Sequence, residues 1–259
     1  MPRTALVTGA SAGIGERFAH RLAEAGYDLI LTARREDRLN ALAQTLSERF
    51  AARCTVIPTD LAEPAHVQAL LDTLDRDDLQ VDFLVNNAGF AARTSLVASD
   101  WATLQREIQV MVSAPTELMI RLGQRMVERG YGNIVNVASL AAFAPPPSGM
   151  LYTGIKRYLL DVSQSADMEF RRSGVRVTAL CPGFTYTEFH DVQGTREQVS
   201  RLPGIFWQDA DAVARIGLQA ALAGKAVCVP GRFNRVLAAV CDALPAFARY
   251  QLGRRGRIY

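Results

Sequence analysis

Ser139, Tyr152 and Lys156 are the residues of this 259-residue chain whose types and spacing can do chemistry. Tyr152 and Lys156 lie four apart in Tyr-Thr-Gly-Ile-Lys. On a helix, positions i and i+4 share a face, so phenol and ammonium can point at one substrate. A free tyrosine keeps its proton up to about pH 10 and is a poor acid/base catalyst near neutrality. A cation beside it favours the phenolate and lets the phenol exchange a proton with an alcohol or ketone. Ser139 closes the apolar run Asn133–Ala138, at the C-terminal end of an expected strand. Open α/β sheets place their ligands there.

The elements that must position these groups alternate along the chain. Short apolar runs predict strands at Ala5–Thr8, Asp28–Ala33, Cys54–Thr59, Phe83–Asn86, Asn133–Ala138, Arg176–Leu180 and Ala226–Val229. Helical patterns fall between them, at about 14–25, 36–51, 64–76, 100–128, 152–173 and 209–223, with Asp100 as an N-cap and Gly130 and Gly174 as stops. Runs such as Leu29-Ile30-Leu31 and Phe83-Leu84-Val85 are continuous, as strands buried on both faces must be. The expectation is one α/β domain over residues 1–259: a doubly wound parallel sheet of about seven strands with helices on both faces. Residues 231–259 form a basic C-terminal helical extension of it.

After the first strand comes Thr8-Gly9-Ala10-Ser11-Ala12-Gly13-Ile14-Gly15. Glycine there permits a tight turn and close backbone approach to a pyrophosphate, and the helix N-terminus adds amide donors. The spacing differs from the Gly-x-Gly-x-x-Gly of the standard dinucleotide fingerprint. It resembles the short-chain dehydrogenase/reductase family, whose motif is Thr-Gly-x-x-x-Gly-x-Gly. Four further matches follow in order: Asp60-Leu61; Asn86-Asn87-Ala88-Gly89; Ser139 with Tyr152 and Lys156; and Pro182-Gly183 with Thr187. Within the family the chain looks most like the NADP-preferring reductases with Ala-Arg-Arg-x-x-Arg-Leu, here Ala33–Leu39. The resemblance implies a Rossmann-like fold and a homodimer or homotetramer built through the helices near 100–128 and 152–173. A light-scattering mass near 28.3 kDa at micromolar concentration would contradict that assembly.

The cofactor expectation is NADP(H). Dinucleotide folds choose their cofactor about twenty residues past the glycines, by an acid for the ribose hydroxyl or an arginine for a 2′-phosphate. The second strand here ends in Arg34 and Arg35 with no carboxylate before Glu36. By resemblance, Gly9, Ser11, Gly13, Ile14 and Gly15 cradle the pyrophosphate, and Asp60 with Leu61 holds the adenine. Asn87, Ala88 and Gly89 line the ribose, Pro182, Gly183 and Thr187 hold the nicotinamide amide, and Tyr152 and Lys156 reach the nicotinamide ribose. The implied reaction is hydride transfer between nicotinamide and a carbonyl carbon, with Tyr152 as acid/base and Ser139 donating to the substrate oxygen.

One position departs from the pattern. The family carries an asparagine inside the helix before the fifth strand, thought to hold a kink whose main-chain carbonyl anchors a relay water; Met111 stands there. A thioether cannot make an amide's hydrogen bonds. The competing reading is therefore a weak or inactive NADP(H)-binding protein that regulates an interaction.

Phe184, Tyr186, Phe189, Phe206 and Trp207 crowd the region after the sixth strand and predict a pocket for a bulky hydrophobic ketone or alcohol. His190 lacks a second ligand nearby. Pro145-Pro146-Pro147 is either a spacer or a wall of that pocket. Composition adds limits: 49% hydrophobic, 21% charged, and a net charge of +3, too small to imply nucleic acid. The four cysteines show no metal spacing, three of them fall in apolar strand-like runs as small hydrophobes, a pattern that suits a reducing cytoplasm, and no metal site is expected. The chain has no room for a signal peptide before Thr4 and no apolar stretch near the ~18 residues of a membrane span. Residues 231–259 carry six arginines and one aspartate. That tail is either a helix pair packing on the domain or another subunit, or a basic surface for anionic membrane or a lipid-like substrate.

Overall fold

Continuous apolar runs are satisfied by strands covered on both faces, and the computed structural model, which describes residues 3–90, 96–146, 151–188 and 204–255, has such a sheet. Its first six strands are β1 (Thr4–Thr8), β2 (Asp28–Thr32), β3 (Cys54–Val56), β4 (Phe83–Asn86), β5 (Gly132–Val137) and β6 (Val175–Leu180). A two-strand ribbon, β7 (Phe184–Thr185) with β8 (Trp207–Gln208), precedes the last sheet strand, β9 (Val227–Cys228). The seven sheet strands are parallel, in the order β3-β2-β1-β4-β5-β6-β9.

Between the strands lie α1 (Gly13–Glu24), α2 (Glu36–Phe50), α3 (Pro64–Arg76), α4 (Trp101–Ile108), α5 (Ala114–Arg129), α6 (Tyr152–Phe170) and α7 (Ala210–Leu222); α8 (Arg232–Ala243) and α9 (Ala246–Arg255) follow the sheet. The period of two along each strand divides its side chains between two cores. Val7, Leu31, Phe83 and Val85 pack with Phe18 and Leu22 of α1, Leu39 and Leu46 of α2, and Val213 of α7. Leu6, Ile30, Leu84 and Ile134 pack with Leu70 and Leu74 of α3, Leu118 and Leu122 of α5, and Ile155 of α6. Each such buried Leu or Phe contributes roughly 1.5–3 kcal/mol over leaving it in water. This is the doubly wound, Rossmann-like arrangement expected from the sequence. The order reverses between β1 and β4, which opens a crevice at their C-terminal ends.

The segment 100–128 departs from the single helix expected of it. Asp100 caps α4 by accepting from the Thr103 amide at 2.7 Å, but at Gln109–Ser113 the helix widens into a π-helical turn before α5 resumes. Pro115 is the cause. It has no N–H, and its ring would collide with the carbonyl four residues back, that of Met111. The ladder slips instead, and the Ala114 amide reaches back to the carbonyl of Gln109. The α-helical donors for the carbonyls of Val110 and Met111 are thereby spent or missing. Strand β3 is also shorter than expected, because Pro58 cannot donate to the ladder, although the amides of Ile57 and Thr59 still reach β2 and Ala33 at 3.0 Å each. The tail folds as two helices separated at Pro245. No helix among the described residues is long and apolar enough to cross a membrane.

Candidate active site

Ser139 follows the end of β5, and its hydroxyl oxygen accepts from the Ala141 amide at 3.1 Å, capping a short helical turn, Leu140–Ala142. The Leu140 amide donates to the carbonyl of Pro182 at 2.8 Å and ties this turn to the loop after β6. With a lone pair engaged by the backbone, the hydroxyl keeps its hydrogen for a ligand oxygen.

Tyr152 opens α6 and Lys156 lies one turn on, its ammonium 5.6 Å from the phenol ring centroid. Lys156 is buried, 5% exposed, and donates to the Val137 carbonyl at 2.9 Å. Burial pushes its pKa down to about 8. A helix N-terminus carries partial positive charge, so Tyr152 lies where the helix dipole and the Lys156 ammonium both present positive charge. Cys181 lies close by; burial pushes it up to about 12, and it remains a thiol near neutrality. Cys54 is likewise raised by burial, to about 11, and all four cysteines are free thiols.

The crevice side is built around Thr8. Its hydroxyl accepts from the amides of Asn87 and Ala88 at 2.9 and 3.0 Å and donates to Val85. The Asn87 side chain donates to the carbonyls of Thr8 and Gly9 at 3.0 and 3.2 Å, so the segment after β4 fixes the glycine loop. Gly9 and Gly13 hold φ of 65° and 61°, in the left-handed region. A Cβ on Gly15 would run into the Gly9 carbonyl, and one on Gly13 would sit 3.0 Å from the Thr187 methyl. Ala12 caps α1 without a side-chain acceptor, which leaves the first amides free of a side-chain cap. Ile14 packs against the core and Leu61 is buried, while Gly89 abuts the Met111 sulfur, 3.3 Å from where its Cβ would stand.

Not every expected ligand residue stands open. Arg34 has no hydrogen-bond or ion-pair partner among the described residues and lines a cleft with Pro58, Thr59, Asp60 and His66. Asp60 accepts from the Ala62 amide at 3.0 Å and from Arg106 at 3.2 Å. Arg35 is engaged as well, with Ser11 and Glu188.

The ribbon gathers the aromatic residues. Tyr186 stacks on Trp207 with centroids 4.6 Å apart, and Phe184 meets the same indole at 5.8 Å. Phe206 packs edge-on against Phe233 of α8 at 5.1 Å. Phe189, His190 and Pro147 lie outside the described residues. Three contributors went unforeseen. Gln208 accepts the Gly183 amide at 3.0 Å, Asn234 packs on the Gly183 α-carbon, and buried Gly253 of α9 packs on the carbonyl of Pro146. The C-terminal helices therefore brace the loops on either side of Ser139. The apolar i, i+3, i+4, i+7 pattern of Phe233, Val236, Leu237 and Val240 is legible, but not what Phe233 touches.

A parallel sheet of this order, with a glycine loop at its switch point and a serine, tyrosine and lysine at the adjoining strand ends, defines a dinucleotide-fold oxidoreductase class. The short chain dehydrogenase family profile matches residues 3–198, and the chain belongs to that family. Sulfoacetaldehyde reductase 2 of Chromohalobacter salexigens is 34% identical over 200 residues, 75% of this chain and 77% of the relative. Among solved structures, a short-chain dehydrogenase from Sphingobium yanoikuyae in complex with NADPH is 32% identical with a TM-score of 0.84, covering 99% of this chain and 97% of that one. The bulky-bulky ketone specific alcohol dehydrogenase from Comamonas testosteroni is 28% identical with a TM-score of 0.79, covering 99% and 95%.

Proposed function

We propose that the chain is an NADP(H)-dependent oxidoreductase interconverting a bulky hydrophobic ketone and its secondary alcohol. The observation that carries this reading is the buried Lys156 ammonium one turn behind Tyr152, at the strand edge that also bears Ser139. The likeness to a structure holding NADPH and to a bulky-ketone alcohol dehydrogenase supports the cofactor and substrate class.

The residues present fit the cofactor. Gly9, Gly13 and Gly15 form a cradle that added side chains would fill, beside amides of α1 that no side chain caps. Ser11 and Ile14 contribute backbone to that cradle. Arg34, unpartnered among the described residues, suits a 2′-phosphate, and a charge-assisted hydrogen bond of ~1.5–3 kcal/mol is roughly tenfold to a hundredfold in preference. Asn87–Gly89 would line the ribose, and Pro182, Gly183 and Thr187 the nicotinamide. NADPH would supply the hydride.

Ser139 donates to the substrate oxygen, where negative charge develops in reduction. Tyr152 gives its proton to that oxygen, and in oxidation takes one from the alcohol. Lys156 holds the phenolate form accessible through its charge. Phe184, Tyr186, Phe206 and Trp207 present apolar surface to a bulky substituent and exclude water from the transfer.

Two variants test the parts. Arg34→Ala should weaken NADPH about tenfold or more and NADH little, since only NADPH carries the 2′-phosphate. Equal losses in calorimetry would assign Arg34 to packing or general charge. The kink persisting through Pro115 weighs against the inactive-protein alternative that Met111 suggested. Pro115→Ala, which restores a donor for the Met111 carbonyl, should lower turnover by roughly tenfold to a hundredfold with NADPH affinity nearly unchanged. Adding Met111→Asn should recover much of the loss. Full turnover in folded Pro115→Ala, or no recovery in the double variant, would remove the kink from the mechanism. The reading as a whole is tested by NADPH consumption across steroid, aryl and long-chain ketones. Turnover confined to small polar aldehydes would overturn the substrate class.

A further inference from the structure

Two guanidinium groups of the phosphate side converge on one carboxylate from the substrate side. Glu188 follows Thr187 just beyond the ribbon strand β7, 153 residues from Arg35. Its carboxylate accepts from Arg35 at 3.0 Å and from Arg38 at 2.8 and 3.0 Å. Arg35 donates in turn to the Ser11 hydroxyl at 3.2 and 3.1 Å and to the Ser11 carbonyl at 3.4 Å. A continuous polar strap therefore runs from the glycine loop, across the opening of α2, to the first residues of the aromatic wall. Arg38 and then Arg35 hold the Glu188 carboxyl below the usual carboxylate range, so it is an anion at neutral pH. Asp37 and Glu16 temper the positive field around Arg38.

This anion takes the donors that a 2′-phosphate would need. Arg34 stands immediately before Arg35, so a phosphate on Arg34 reaches a site whose second arginine is already occupied. The side chains of Arg35, Arg38 and Glu188 are 42%, 44% and 48% exposed, and ion pairs so exposed are weak. A phosphate carries close to two negative charges at neutral pH and can displace one carboxylate from them. A ribose hydroxyl cannot.

We propose that Glu188 is a cofactor-discriminating residue: it occupies Arg35 and Arg38 until the 2′-phosphate of NADPH displaces it, and NADH leaves it in place. The inference rests on the NADP(H) reading above and extends it. The reciprocity of linkage requires that whatever holds Glu188 on its arginines weakens NADPH by the same factor.

Calorimetric titration of wild type and Glu188→Gln with NADPH, NADH, adenosine 2′,5′-bisphosphate and 5′-AMP tests this. The carboxamide preserves shape and removes the charge at an exposed position, so folding is not at stake. NADPH and the bisphosphate should bind the variant roughly threefold to tenfold more tightly, the scale of one or two exposed ion pairs, while NADH and AMP stay within about twofold. Unchanged or weaker NADPH binding by the variant would overturn the inference, as would equal tightening of all four ligands. Wild type that binds neither dinucleotide would instead reject the cofactor reading itself. Selective NADPH binding that ignores Glu188 rejects only the strap.

Discussion

Tyr152→Phe should cut turnover by about a hundredfold or more while leaving NADPH binding nearly intact. The substitution removes one oxygen and its proton from the first residue of α6 and keeps the ring. Lys156 bonds to the Val137 carbonyl rather than depending on the phenol for its place, so its ammonium stays where it is. Ser139 is held by the Ala141 amide and also stays. On the proposed mechanism, what is lost is the acid that protonates the substrate oxygen. Residual activity above about a tenth of wild type, in a variant that binds NADPH normally, would remove tyrosine from the acid/base role.

Lys156→Met should lose both turnover and cofactor affinity, because on the proposed mechanism a single ammonium serves the phenol and the ribose. Methionine is unbranched and of similar length, so the buried site stays filled. A second effect follows from the folded pKa of about 8, below the 10.5 of a free lysine. Below pH 8 both folded and unfolded chains hold the proton, and folding bears the full penalty of burying the charge. Between pH 8 and 10.5 the unfolded chain holds more protons than the folded one, so stability rises with pH across that window. Above it the penalty is gone. In cofactor-free protein, the unfolding free energy of wild type relative to Lys156→Met should therefore climb from pH 8 to 10.5. A difference that stays flat in denaturant titrations through that range would show that the amine is not desolvated as its burial requires.

The parts of this molecule that were legible in the sequence are those governed by local pattern. Seven apolar runs became the seven sheet strands because strands covered on both faces need apolar residues at every position. The glycine loop and the spacing of Tyr152 and Lys156 were readable because each depends on a few neighbouring positions. The family resemblance places a kink at Met111, but the π-helical turn at Gln109–Ser113 and its cause, Pro115, four residues past Met111, are not legible. Apolar periodicity continues on both sides of the π-helical turn and hides the one-residue slip. The ribbon of Phe184–Thr185 with Trp207–Gln208 has two residues per strand, too few for any period to register. Contacts between distant segments were invisible for a different reason. Glu188 on Arg35, Phe233 on Phe206 and Gly253 on Pro146 are made by tertiary packing, and no local signal names the partner.

On the proposed mechanism, Tyr152, Lys156 and Ser139 oversee hydride transfer from NADPH to the carbonyl carbon of a bulky hydrophobic ketone. Its most direct test is a reaction of the wild-type protein with NADPH carrying deuterium at the transferable position of nicotinamide C4 and an aryl or steroid ketone, followed by mass and NMR analysis of the product alcohol. Deuterium is expected on the carbinol carbon, with one NADPH consumed per alcohol formed, and Tyr152→Phe should transfer the label about a hundredfold or more slowly. Alcohol formed without deuterium on that carbon, or label transferred equally well by the variant, would contradict it.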